Sequence, residues 1–82
     1  MELFRLIEEE KKAVLAREAA ESIAARFVEM AKKEGGRPED YTCCVGQVGS
    51  YQQALRLIAN ANERIAIARR NIKRELLAIL AE

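Results

Sequence analysis

Eighty-two residues, half of them apolar and a third charged, with 14 Lys and Arg against 13 Asp and Glu, describe one small domain of almost no net charge. Trp and His are absent and the aromatics are two Phe and two Tyr, so the large side chains that fill a self-sufficient core are scarce, in a size class that already buries little of its surface. The lack of histidine excludes a histidine-based triad, a zinc protease site and a di-iron site built on Glu-x-x-His, and nothing calls for a cofactor.

In chain order, the first apolar patch, residues 1–7, is too short for an export signal and runs directly into Glu8, Glu9, Glu10, Lys11 and Lys12. No run approaches the ~18 apolar residues that span a bilayer, so no membrane partner is expected and the cytosol is the default location. Residues 2–34 contain no helix breaker and predict a first long helix, with Lys32 and Lys33 at the negative end of its dipole and Gly35 as its C-terminal cap. From Ala13 onward its apolar seam reads Ala13, Ala16, Ala20, Ile23, Phe27 and Met30. Leu3, Phe4 and Ile7 lie on nearly the opposite side at about 100° per residue, and Val14 and Leu15 extend their stripe. A seven-residue repeat drifts only about 20° per heptad, so the change of face predicts either a bend near residues 8–12 or first turns that pack on a neighbouring subunit.

All four glycines and the single proline fall within the connector, residues 35–50. Pro38, Glu39 and Asp40 can open a short helical turn there. Cys43 and Cys44 are adjacent, and a bridge between neighbours needs a strained ring, so reduced thiols are expected. They are redox candidates in three ways: a thiol switch, a cross-link between subunits, or half of a four-thiolate site shared by two chains. Metal ligands are usually separated by two to four residues, so no metal site is assigned, and burial of one thiol under the connector, the other exposed and incidental, is the favoured account of the pair. Gly46, Gly49 and Ser50 lead into a helix start, but the lysine of a phosphate-binding loop is missing, and turning plus capping explains them.

Residues 51–81 predict the second helix, opened by Ser50 and Gln53 at capping-box spacing. Tyr51, Ile58, Ile65, Ile72 and Ile79 recur every seven residues, with Ala54, Ala61 and Ala68 three residues after the first three. That is a coiled-coil-like seam in which alanine permits close approach. Glu75 interrupts the alanine series, and Leu55, Leu57, Leu76 and Leu80 flank it. Asn60, Asn62 and Asn71 are poor helix formers whose default place is the helix surface, although asparagine fixes register when it reaches a seam.

The connector lets the second helix return antiparallel, with residue i beside about 84 − i and Glu34 near Ser50. Two helices alone leave both outer faces wet and are marginal in stability. The fold expected is therefore all-α: two long helices in an antiparallel hairpin, pairing with a second chain into a four-helix bundle. Candidate interface residues are Leu3, Phe4, Ile7, Leu55, Leu57, Leu76 and Leu80, and the partner expected first is a second copy, as homodimer or higher homo-oligomer, then another protein.

Arg69, Arg70, Lys73 and Arg74 form a basic cluster suited to nucleic-acid phosphates. In the expected register Glu8, Glu9 and Glu10 lie beside it, and mutual neutralisation across the hairpin competes with that reading. Carboxylate pairs such as Glu18 and Glu21 fit a solvated face. The function expected is a non-enzymatic helical adaptor, regulator or assembly subunit, with a nucleic-acid-binding regulator and a thiol-dependent redox or metal-binding protein as the alternatives.

Overall fold

A computed structural model describes residues 2–45 and 48–81, and the side chains of residues 42–48 lie outside that description. Two helices, α1 (Glu2–Glu34) and α2 (Tyr51–Ala81), pack against each other as a hairpin. Their limits coincide with those set by the glycines and the proline. The connector holds the anticipated helical turn at Pro38–Asp40, of 3-10 type. It also holds two strands that were not anticipated, β1 (Thr42–Val45) and β2 (Val48–Ser50). They pair antiparallel, Thr42 opposite Ser50 and Val45 opposite Val48, with an irregular register between. The chemistry behind them is short: a Thr-Cys-Cys-Val run and a second valine stand on either side of Gly-Gln, a two-residue spacing typical of hairpins.

Both helix ends at the connector are capped by the residues the sequence offers for it. Gly35 and Gly36 have φ near +86° and +87°, a region that costs other residues Cβ strain. The Gly35 N–H donates to the Ala31 carbonyl at 2.8 Å, and the Tyr41 hydroxyl donates to the Gly35 carbonyl. The Arg37 N–H donates to Asp40 Oδ2 at 3.1 Å, which ties down the turn. At the start of α2 the Gln53 N–H donates to Ser50 Oγ at 3.1 Å, while Gln53 Oε1 accepts from the Gly49 N–H at 3.2 Å. The returning bond of the capping box thus reaches the residue before the cap.

On α2 the buried residues are Ala54, Ala61, Ile65 and Ala68, with Tyr51, Ile58 and Ile72 half-buried beside them. This is the seven-residue seam, and it fades at Ile79, which is exposed. On α1 the buried residues are Leu6, Ala13, Ala20, Ala24, Phe27 and Ala31. Helix α1 runs without interruption through residues 8–12, and Leu3, Phe4 and Ile7 stay outside its buried set, Phe4 exposed and Leu3 and Ile7 half-buried. Leu6 lies seven residues before Ala13 and continues its stripe through one uninterrupted helix; Ala16 is exposed, and Ile23 and Met30 lie at the stripe's edge. The continuity is masked in the sequence because Glu10 and Arg17 occupy stripe positions between Leu6, Ala13 and Ala20. Phe27 is the largest fully buried side chain, and its ring meets that of Tyr51 edge-on at 6.5 Å between centroids. Next to it Ala24 and Ala54 form a small core with Ile23 and Ile58.

The register also differs from expectation. Glu10 meets Arg69 and Arg17 meets Asn62, and the residue numbers in each pair sum to 79 rather than 84. Phe27, not the last turn of α1, lies beside the start of α2, because the connector folds back along α1 as a turn and a strand pair instead of linking the helix ends directly. The stagger carries the last turn of α2 past the start of α1. The molecule measures 60 × 17 × 15 Å with a radius of gyration of 17.2 Å, against about 12 Å for a compact chain of this length.

Candidate interaction surfaces

Positions along a helix that recur every seven residues share one edge, so each edge of the hairpin can be followed from the seam outward. On α2 one edge is Leu55, Asn62, Arg69 and Leu76. Its two polar members are the ones that cross to α1. Arg69 Nε lies 3.1 Å from Glu10 Oε1, and Arg17 donates to Asn62 Oδ1 at 3.2 Å. Asn62, out of place by propensity, is thus part of the helix pairing. The corresponding edge of α1 is Ile7, Val14, Glu21 and Val28. Ile7, Val14 and Val28 are half-buried.

This flank carries much of the apolar surface that the hairpin leaves wet. Leu80 is 81% exposed and Leu55 and Leu76 are exposed along it, while Phe4, 68% exposed, lies toward the outer face of α1. Leu15, 64% exposed, adjoins Val14 in a depression also lined by Glu10 and Lys11. Of the seven interface candidates, Ile7, Leu55, Leu76 and Leu80 lie along this flank, and Phe4, nine residues before Ala13, lies on the outer face of α1 at about 100° per residue. Leu3 falls on the seam side of α1, half-buried, and Leu57 lies on the opposite flank. Leu15, outside those candidates, is one of the most exposed large apolar side chains among the described residues. Ile67, Leu77 and Ile79 are exposed as well.

The opposite flank is an open groove of about 510 Å³ lined by Ala16, Ala19, Ile23, Leu57, Asn60 and Arg64, with Ala20 and Ala61 beneath. Small residues on both helices make it. Toward the free end it continues between Glu9, Lys12, Arg64 and Ile67.

Charges are distributed unevenly. On α1, Arg5 pairs with Glu2 and Glu9, Lys11 with Glu8, and Arg17 with Glu21. The Arg5 hydrogen bond, with its positive charge, holds the Glu2 carboxyl below its usual value, and Arg5 is raised by the same contact. On α2, Arg69 is held by Glu10. Of the three glutamates expected to neutralise the basic cluster, Glu8 and Glu9 are engaged within their own helix. Arg70, Lys73 and Arg74 make no ion pair among the described residues. The five-residue shift brings Glu10 to Arg69, while Arg74 shares a shallow depression with Glu2, Glu9 and Glu75 without an ion pair among the described residues.

Cys43 and Cys44 have backbones in β1, and their side chains lie outside the described residues. Among the described residues no cluster of His, Cys, Asp and Glu has the makings of a metal site, and no helix is long and apolar enough to cross a membrane. No family model, curated protein or solved structure matches the chain.

Proposed function

We propose that this chain is a non-enzymatic helical interaction protein whose hairpin pairs with a second copy through the Leu55–Leu76 flank, giving a four-helix bundle. One observation carries the reading. The chain exposes 6083 Å², whereas a compact monomer of 9.2 kDa exposes about 4,900 Å². The excess, about 1,200 Å², is larger than the roughly 800 Å² that each partner contributes to a standard stable interface. A second copy supplies the complementary surface at no cost in new sequence, because a two-fold pairing sets the same apolar flank against itself. Such a bundle acts through what it binds, as adaptor, regulator or assembly subunit. The absence of histidine and the placement of the perturbed Glu2 and Arg5, which shift through each other on an exposed first turn, support a non-catalytic role.

Light scattering coupled to size exclusion tests the pairing. The expected mass is twice 9.2 kDa, and Leu55→Gln, Leu76→Gln and Leu80→Gln together should return the chain to monomer, while Leu57→Gln on the opposite flank should not. A wild-type monomer at high micromolar concentration would overturn the reading.

A further inference from the structure

We propose that the solvent-facing side of α2 is a binding ridge for nucleic-acid phosphates, formed by Arg56, Arg70, Lys73 and Arg74, with Arg64 at its border with the groove. Between Tyr51 and Ala81 the chain has six basic residues and two acidic ones, a local +4, while α1 has seven basic and eight acidic, a local −1. The imbalance is sharpened by pairing. Four of the six salt bridges among the described residues stay within α1, and Glu10 takes only Arg69. The five ridge cations make no ion pair among the described residues.

Three of them, Arg70, Lys73 and Arg74, stand three and four residues apart on adjacent turns, where like charges repel. Glu63 lies on the edge of Arg56 and Arg70, and Arg74 shares a shallow depression with Glu2, Glu9 and Glu75, yet none of the three cations is held in an ion pair among the described residues, and a ligand with closely spaced negative charges relieves their repulsion. From Arg56 to Arg74 the ridge spans 18 residues, about 27 Å of helix at 1.5 Å per residue. That length exceeds a single phosphate or headgroup and suits a polymer, as duplex DNA carries a charge every ~1.7 Å. Four of the five are arginine, whose planar donors match phosphate oxygens in pairs. No aromatic residue is interleaved to stack on bases, so the contact is with the backbone and independent of base sequence. Arg56, Arg70 and Arg74 lie away from the Leu55–Leu76 flank, and Lys73, seven residues before Leu80, borders it.

The test is fluorescence anisotropy with a labelled 20-base-pair DNA duplex and a labelled RNA duplex of unrelated sequence, titrated at several salt concentrations. Binding should weaken linearly in log–log form with salt. In the variant Arg70→Gln/Lys73→Gln/Arg74→Gln the slope should fall by about 2.7, at roughly 0.9 per lost phosphate contact on DNA, with low-salt affinity down at least tenfold. The variant Lys12→Gln/Lys32→Gln/Lys33→Gln removes the same charge from α1 and should bind like wild type. All six positions are exposed, so helix content by circular dichroism should be unchanged in both. Absence of binding at low salt, or equal losses in the two variants, would overturn the proposal. Equally tight binding of poly-glutamate would overturn it too, reassigning the ridge to acidic polypeptides.

Discussion

Glu10 and Arg69 are 59 residues apart in sequence and 3.1 Å apart in space, and with Arg17 and Asn62 they form the polar links between the two helices. Arg69 is 61% exposed and Glu10 27%, so solvent screens the pair. A double-mutant cycle with Glu10→Ala and Arg69→Ala, read by urea denaturation, should give a coupling of about 0.3–1 kcal/mol that shrinks as salt is raised. A coupling indistinguishable from zero at low salt would show that the contact does not hold the helices.

Among the described residues Phe27 is the one large side chain with no exposure, set against Tyr51 where the connector closes the hairpin. Phe27→Ala should cost about 3–5 kcal/mol. In a domain this small that is most of the stability, so the thermal transition should become broad and weakly cooperative. Phe4→Ala, at an exposed position, is the matched control and should leave the transition of the monomeric state nearly unchanged.

Ala61 and Ala68 are 2% and 4% exposed, buried where the two helices meet. Leucine at either position should destabilise by about 1–3 kcal/mol through overpacking or change the oligomeric mass. Unchanged stability and mass in the double variant would mean that the helices are not this close.

The caps offer a backbone test. Gly35→Ala places a Cβ at φ +86°, where no neighbour obstructs it, so the expected loss of about 1 kcal/mol measures conformational strain alone. Ser50→Ala removes the acceptor for the Gln53 N–H and should cost about 1 kcal/mol as well. Chemical denaturation of the two single variants, and of the double for additivity, reads both effects.

Glu2 provides the pH dependence. Its carboxyl is held below its usual value of 4.5 by the Arg5 hydrogen bond and charge. A depressed carboxyl stabilises the fold above its ordinary value, and that contribution is lost as pH falls through the lower, folded value. Arg5→Gln should raise the Glu2 titration midpoint seen by carboxyl carbon NMR, with only a slight change in overall stability because both groups are exposed.

The helices were legible because glycine and proline are confined to one stretch, and the α2 seam because its isoleucines and alanines keep strict time. The α1 stripe was not, since Glu10 and Arg17 sit in it: a carboxylate and a guanidinium read as surface until their partners on the other helix are known. The same two residues concealed the register, which depends on who meets whom across 45 and 59 residues of chain. The strand pair was hidden by its brevity, a few residues around Gly46 and Gln47. Of the surfaces, individual exposed leucines could be named from spacing, whereas their division between two flanks required the pairing.

Glu10 and Arg17 have a further consequence. A seam made mostly of alanine is nearly uniform along its length, and two such helices could slide by a heptad with little loss of apolar contact. In this chain a slip of seven residues one way would set Arg17 against Leu55, and the other way would set it against Arg69 and Glu10 against Leu76. Either displacement strands a charge or opposes two of the same sign. The hairpin therefore carries its own vernier: alanine brings the helices together, and two misplaced-looking charges decide where along each other they stop.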